Sequence, residues 1–141
     1  MTDAPEAAIP ALLFSHLSAL SLAPTLPIAW PDVPFAPTIG EAFLAVDYLP
    51  NRSTDPFLAF DDGTLYHGLL QVAVVTPRGS GAISAARIAA AIADHFDAGT
   101  TLRPDDQSFA LKIDARPRIG GPIQEEKWTR TPVTVAWRAF V

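Results

Sequence analysis

The stretch that decides the fold is YHGLLQVAVVTPRGSGAISAARIAAAIADHF, residues 66–96. Its first part, 66–76, is rich in β-branched side chains and is closed by Pro77, which predicts a strand that ends there. Its second part, Ala82–Phe96, carries apolar side chains at helical spacing and predicts an amphipathic helix. The apolar face of this helix consists of Ile88, Ile92 and Phe96, with Ala85 and Ala89 beside them. A strand followed closely by an Ala-rich helix indicates a helix that packs against a sheet.

Further strands are predicted on both sides of this unit, because apolar and polar residues alternate there. After the helix, Gly99 is expected to act as its C-terminal stop. Residues Arg116–Pro122 are rich in Gly and Pro and predict a bend. The predicted strands are Glu41–Leu49, Tyr66–Thr76, Thr101–Arg103, Phe109–Ile113 and Trp128–Val141.

An N-terminal helix is predicted over Pro5–Ser21. Pro10 lacks a backbone N–H and clashes with the preceding turn, so the regular part is expected to begin near Ile9. Pro24 is expected to stop the helix. The apolar face consists of Ile9, Leu12, Leu13, Leu17 and Leu20.

Proline is concentrated in APTLPIAWPDVPFAP, residues 23–37, which holds five of the 14 prolines in the chain. Such spacing forbids a helix and favours an extended path with at most short strand contacts. We therefore predict a rigid connector that packs Ile28, Trp30 and Phe35 onto the core.

The order of these elements predicts an α+β domain. We expect a mixed or antiparallel sheet of about four to six strands with two helices packed on it. The chain has 141 residues, which suits one domain spanning residues 1–141.

Composition narrows the class of protein further. Apolar residues make up 49% of the chain and charged residues 18%, which is enough to bury a core and argues against disorder. No run of 18 apolar residues occurs, and the N-terminal MTDAPEAAIP lacks the positive start of a secretory signal, so we expect neither a membrane span nor a leader. The absence of cysteine excludes disulfides, thiolate metal sites and cysteine nucleophiles.

Charge is distributed unevenly along the sequence. The formal net charge is −5, and no Lys or Arg precedes Arg52. The acidic residues of this first third account for the whole net charge, and they are Asp3, Glu6, Asp32, Glu41 and Asp47. An acidic chain is a poor candidate for a protein that grips nucleic acid by its phosphates.

One motif suggests nucleotide chemistry. Residues Gly79–Ser84 follow a predicted strand, open a predicted helix and read G-x-G-x-x-S, which is similar to a dinucleotide-binding fingerprint. The third position is Ser84 instead of Gly, and Pro77 and Arg78 intervene after the strand. The alternative is a flexible turn with Ser80 near the N-cap of the helix.

No other motif predicts catalysis or metal binding. The three histidines, His16, His67 and His95, show no ligand spacing, and a zinc site needs three or four donors. The carboxylate doublets lie beside predicted turns, where Asp is common for local reasons. They are Asp61-Asp62, Asp105-Asp106 and Glu125-Glu126. We expect no catalytic residues, no cofactor and no metal.

Three stretches together resemble a known family. They are PIAWPDVPFAPTIGEAFLAVDYLP (27–50), HGLLQVAVVTPRGSGAISAARIAAAIADHF (67–96) and EEKWTRTPVTVAWRAFV (125–141). Their order and character are similar to those of phage tail-terminator-like proteins, small minor tail proteins of long-tailed phages and prophages. The resemblance covers nearly the whole chain and consists of core and turn positions without a catalytic signature.

The resemblance implies a structural, non-enzymatic role in the virion tail, after assembly in the bacterial host cytoplasm. A tail terminator caps the tail tube as a ring, expected to be a hexamer, and offers a surface to the head connector. Its implied partners are further copies of itself, the major tail tube protein and the head–tail connector protein. Two alternatives remain open: a head–tail joining or neck protein of the same module, and a small nucleotide-binding domain that uses the Gly79–Ser84 turn.

The loop predicted over Asn51–Thr64 provides the candidate interface. Phe57, Leu58 and Phe60 lie between turn residues there and would be costly to leave in water. They either fold back onto their own subunit or cover a neighbouring subunit or the tube. We predict that these three residues form a subunit or tube interface.

DNA must pass through the tail without specific binding, so the channel wall should lack a continuous basic surface. The acidic net charge agrees with this expectation. The alternative is a local basic patch that the net charge conceals, formed by Arg78, Arg87, Arg116 and Arg118.

Overall fold

The computed structural model describes residues 4–22, 25–51 and 64–141. In chain order the elements are α1 (Pro5–Ser18), β1 (Ile28–Ala29), β2 (Phe43–Pro50), β3 (Leu65–Pro77), α2 (Ala82–His95), β4 (Thr101–Leu102), β5 (Ala110–Lys112), β6 (Arg118–Ile119), β7 (Ile123–Gln124) and β8 (Trp128–Phe140). The strands form one open sheet in the order β1-β2-β3-β8-β5-β4, with β6 and β7 also paired to β8. Only β1 and β2 pair in parallel among the described strands, so the sheet is mixed and the fold is α+β.

Within the described residues the sheet has eight strands, so the expected four to six was too low. The additional strands β1, β6 and β7 contain two residues each and are too short to show an alternating pattern in sequence. Two of them lie in or next to the predicted bend over Arg116–Pro122, which is therefore only partly a bend. They form because the long strand β8 offers a free edge whose backbone groups need partners.

The sheet is organised around β8. It pairs with β3 along its whole length, from Leu65 opposite Phe140 to Pro77 opposite Trp128. On its other side β8 pairs in turn with β7, β6 and β5. Strands β4, β5, β6 and β7 are thus attached to the sheet directly or indirectly through β8.

Both helices pack on one face of the sheet. The alternation predicted for β2 and β8 is confirmed, because alternate side chains of each strand enter a single core with the two helices. The largest fully buried members of this core are Phe96, Ile9, Leu13, Leu17, Leu44, Leu70, Ile92, Leu111 and Ile113. A smaller cluster of Phe43, Ala73 and Val75 lies on the opposite face.

The proline-rich connector packs as predicted. Ile28 and Trp30 contact the main core, whereas Phe35 packs on the smaller cluster of the opposite face. The rings of Phe35 and Phe43 lie 4.9 Å apart, centroid to centroid. The connector therefore wraps around the β1–β2 edge and touches both faces of the sheet.

Helix α1 begins at Pro5 as predicted, but it ends at Ser18, three residues before the predicted Ser21. It is also regular from Pro5 onward, so the expectation that the regular part begins near Ile9 was wrong. Proline suits the first position of a helix, because its fixed φ is helical and its missing N–H would have no partner there. Pro10 is accommodated inside the helix, while Ile9, Leu13 and Leu17 face the core as predicted.

Helix α2 agrees closely with its prediction, but it does not end at Gly99. The helix stops at His95, and Gly99 lies four residues further on with a φ of +90°. The Gly99 N–H donates to the carbonyl of Ile113 at 2.9 Å. Gly99 therefore turns the chain from the helix into the β4–β5 hairpin instead of capping the helix.

Candidate interaction surfaces

The predicted interface residues Phe57, Leu58 and Phe60 lie outside the described residues, within 52–63. Backbone hydrogen bonds hold the residues on either side of this segment. The Asn51 N–H donates to the carbonyl of His67 at 2.9 Å, and Thr64 exchanges two backbone hydrogen bonds with Val141, at 2.9 and 3.0 Å. Residues 52–63 therefore connect β2 to β3 at the end of the sheet where β8 also terminates.

The face of the sheet opposite the helices carries apolar residues next to that end. Leu49 is opposite Leu69 in the β2–β3 register, and Leu65 is opposite Phe140 in the β3–β8 register. Leu49, Leu69 and Phe140 are 48, 36 and 44% exposed. We call this area, defined by Leu49, Leu65, Leu69 and Phe140, the open face. The two apolar pairs are separated on this face by His67 and Arg138, which are opposite one another. Exposed apolar residues rimmed by polar ones are typical of an interaction surface.

A row of polar side chains crosses the sheet beside the open face. Asp47 is opposite Gln71, Gln71 is opposite Thr134, and Thr134 is opposite Arg118. Residues opposite one another in adjacent antiparallel strands share a face, so the row lies on the side away from the helices. Asp47 and Arg118, at its two ends, are exposed. Such a row can fix the register of a partner that covers the apolar residues beside it.

The Gly79–Ser84 segment is a turn, and its geometry does not support the dinucleotide alternative. β3 pairs antiparallel with both of its neighbours, whereas a dinucleotide site is built from parallel strands. Gly79 and Gly81 have φ values of +92° and +91°, which L side chains rarely adopt. Ser80 lies next to the N-cap, as the alternative expected, but its side chain does not cap the helix. Its hydroxyl donates to the carbonyl of Pro77 at 2.7 Å, and the N-cap residue is Gly81.

Two histidines that are far apart in sequence form a reciprocal pair. His16 is in the last turn of α1 and His95 in the last turn of α2. The Nε2 of His16 lies 2.7 Å from the carbonyl oxygen of His95, and the Nε2 of His95 lies 2.6 Å from that of His16. The rings stack with centroids 3.9 Å apart and an interplanar angle of 12°. Each imidazole thus donates to a helix C-terminal carbonyl, and the pair joins the ends of the two helices.

The pair also has an electrostatic consequence. Burial lowers the pKa of His16 below 6.5. The hydrogen bond to the His95 carbonyl raises this pKa to a smaller extent, and the nearby His95 ring lowers it further. Sequence reasoning missed the contact, because 79 residues separate the two histidines. The available signal was that each one occupies the last turn of a predicted helix, where a donor can satisfy unpaired carbonyls.

We expect this arrangement to make stability depend on pH. A His whose pKa is lower in the folded state stabilises the fold above pH 6.5 and loses that contribution as the pH falls through 6.5 toward the folded pKa. The wild-type melting temperature should therefore fall more between about pH 7.5 and about pH 5 than that of His16→Gln, which does not titrate there. His67→Gln serves as the control and should keep the wild-type dependence. Equal slopes for His16→Gln and the wild type would contradict the prediction.

The four arginines of the alternative basic patch lie on neighbouring elements, but acidic residues interrupt them. Arg116 forms ion pairs with Asp94 at 2.6 Å and Asp97 at 3.6 Å. Arg78 Nη1 donates to the backbone carbonyl of Glu125 at 3.5 Å. Arg87 is on the exposed side of α2 and Arg118 is in β6. The Arg116 charge is compensated locally, which removes one of the four cations from the candidate patch.

The described ranges contain no group of three or more His, Asp or Glu side chains that could hold a metal ion. Within the same part of the chain, no helix is both long enough and apolar enough to cross a membrane. The carboxylate doublet Glu125-Glu126 lies in the β7–β8 turn, where Glu125 pairs with Arg130.

The geometry defines a class of protein: an α+β domain with helices on one face of a mixed sheet and an exposed, partly apolar opposite face. The sequence profile described as "Phage tail terminator protein" matches residues 8–137, and the chain belongs to this family. A phage tail terminator is a component of the virion tail with a structural role, and it interacts with other phage tail or head proteins.

A solved structure designated only by a sequence identifier shares the fold. It aligns with a TM-score of 0.79 and 24% identity, over 97% of this chain and 96% of its own. The comparison with curated proteins finds no significant match.

Proposed function

We propose that this chain is the terminator that caps the tail tube. In this role several copies, expected to be six, form a ring that stops polymerisation of the tube and presents an attachment surface to the head connector. The observation that carries the proposal is the family match over residues 8–137. The exposed apolar residues of the open face support it, because a subunit that works in an assembly needs such surfaces.

We further propose that Phe57, Leu58 and Phe60 contribute to the contact with a neighbouring subunit or with the tube. Their segment follows β2 and precedes β3 in the chain, and Leu49 and Leu65 of the open face are near the described ends of these two strands. Apolar residues of the segment and of the open face could then be covered by the same partner. Such burial contributes roughly 1.5–3 kcal/mol for each large side chain.

The experiment that tests the proposed function combines the purified chain with tubes of the major tail tube protein from the same genome. Negative-stain electron microscopy should show a ring of density at one end of each tube, and tubes should stop growing when the chain is added. Tubes that grow to the same length with and without the chain would contradict the terminator role. Binding to the head connector in the absence of tubes would instead favour the alternative of a neck protein.

We expect no measurable binding of duplex DNA by the isolated protein, even at low ionic strength, where electrostatic binding is strongest. The reason is the net charge of −5 together with the ion pairs of Arg116, which remove one cation from the candidate basic patch. A gel-shift titration at low salt measures this. Retarded DNA at micromolar protein would mean that the remaining arginines form a binding surface, and that the channel argument is wrong.

A further inference from the structure

We propose that two opposite edges of the sheet are the two halves of the subunit–subunit contact, so that each copy docks its acidic edge on the cationic edge of the next copy. The acidic edge consists of Asp32, Val33, Ile39 and Glu41. The cationic edge consists of Arg118, Ile119, Ile123 and Lys127. The inference rests on the proposed function, because it specifies the surfaces that close the ring.

The acidic edge combines exposed apolar side chains with uncompensated charge. Ile39 is 86% exposed and Val33 is 55% exposed. Both lie in the segment of residues 30–42, which joins β1, the terminal strand of the sheet, to β2. Asp32 and Glu41 are exposed and form no ion pair with any described residue. Residues 25–51 contain no Lys or Arg.

Backbone hydrogen bonds and a ring contact hold residues 30–42 in a defined shape. The Val33 N–H donates to the carbonyl of Trp30 at 3.3 Å, and the Glu41 N–H donates to the carbonyl of Thr38 at 3.1 Å. Between these two turns, Phe35 is anchored on Phe43. The exposed residues therefore project from a restrained backbone, which lowers the entropy that docking would cost.

The cationic edge has the complementary character. Ile119 and Ile123 are 39 and 55% exposed, and they belong to β6 and β7, which pair with β8 alone. Arg118 and Lys127 are exposed and form no ion pair within the described ranges. The nearby Glu125 is already paired with Arg130. Glu126, which is exposed and next to Lys127, offsets part of the positive charge, so the edge keeps a net positive charge.

The positions of the two edges decide what kind of partner fits. In the strand order, β1 lies at one end and β6 and β7 lie beyond β8, so β2, β3 and β8 separate the acidic edge from Arg118, Ile119 and Ile123 within one subunit. Lys127 follows β7 in the turn that leads into β8, where its carbonyl accepts from the Arg78 N–H. The β6 and β7 residues can therefore meet the acidic edge only between different copies. A contact between unlike surfaces of identical subunits is heterologous, and it generates a closed ring when its rotation closes.

The occupant of each edge is accordingly a second copy of this chain. Each edge presents two aliphatic side chains and an excess of one sign of charge without an ion pair, and the signs of the two edges are opposite. A tube or connector protein could account for one edge, but it would leave the complementary edge on the same subunit unexplained. Opposite charge across an interface fixes register and disfavours the contact between two like edges.

The test uses charge reversal at exposed positions, which leaves the core untouched. One variant carries Asp32→Arg with Glu41→Arg, so both of its edges are cationic. A second carries Arg118→Glu with Lys127→Glu, so both of its edges are acidic. Asp105→Arg combined with Arg87→Glu is the matched control, since both residues are exposed and lie outside the two edges. Ring formation on tubes is followed by electron microscopy and by sedimentation.

Each reversed variant alone should need a protein concentration at least about tenfold higher than the wild type to form rings, because like charges then face each other at every contact. An equal mixture of the two variants should form rings again, with the two chains present one to one, and the control should resemble the wild type. Rings formed by either variant alone at wild-type concentration, or no rings from the mixture, would overturn the assignment of the edges. Absence of rings from the wild type itself would instead overturn the proposed function, and the assignment with it.

Discussion

Removal of residues 128–141 is expected to abolish folding and to leave insoluble protein. These residues form β8 and the residue that follows it, and β8 pairs with β3 on one side and with β5, β6 and β7 on the other. Deletion would therefore separate the β1–β2–β3 half of the sheet from the β4–β5 half. A soluble, folded truncation would contradict this and would show that the strand is an exchanged arm.

A single substitution in the same strand should have a large effect as well. Trp137 is 3% exposed and its ring stacks on Tyr48, with centroids 5.8 Å apart and an interplanar angle of 8°. Truncation of a buried Trp to Ala typically costs about 3–5 kcal/mol, out of a total of about 5–15 kcal/mol for a domain. Urea denaturation of Trp137→Ala should show this loss as a lower midpoint with little change in slope.

Trp137→Phe provides the matched control. The Nε1 of Trp137 is buried and has no hydrogen-bond partner in the described structure. A buried N–H without a partner is unfavourable, so its removal offsets part of the cost of a smaller ring. We expect Trp137→Phe to lose much less stability than Trp137→Ala. Equal losses for the two variants would mean that stacking on Tyr48 contributes little.

Replacement of Phe57 and Phe60 by Ser is expected to abolish assembly while leaving the melting temperature of the isolated subunit nearly unchanged. The reason is that the proposed partner of these rings is a neighbouring subunit or the tube, so the core of the subunit does not depend on them. Thermal unfolding reports the stability of the subunit, and electron microscopy with tubes reports assembly.

Two control variants are needed to interpret that result. Phe96→Ser removes a fully buried ring and should lower the melting temperature strongly, which shows that the assay detects a loss of core packing. Ile83→Ser changes a side chain of α2 that is 70% exposed, away from the loop, and should affect neither property. A large fall in subunit stability for the Phe57 and Phe60 variant would mean that these rings fold back onto their own subunit.

Local sequence patterns predicted the long elements well, because each long element buries one side. In α1 the spacing of Ile9, Leu13 and Leu17 matches the buried face, although the regular part begins at Pro5 and not near Ile9 as expected. The conflict at Pro10 was overestimated: tertiary packing of that face compensates for a lost hydrogen bond near the helix start.

The interaction surfaces were much harder to predict. The four residues of the open face lie on three different strands, and only the register of the sheet brings Leu49 opposite Leu69 and Leu65 opposite Phe140. The same holds for the polar row from Asp47 to Arg118, whose members come from four strands. A side chain that is apolar and exposed looks the same in sequence as one that is apolar and buried. Ile119 within the predicted bend and Ile123 just after it therefore carried no signal.

The sequence by itself determined the two helices, the long strands, the faces that they bury and the accumulation of acidic charge before Arg52. These features follow from periodicity and composition, which act over a few residues. Only the tertiary structure decided the pairing of His16 with His95, the short strands on β8 and the placement of unlike charges at opposite edges of the sheet. Each of these depends on which distant segments meet, and that is set by the burial of one shared core instead of by local preference.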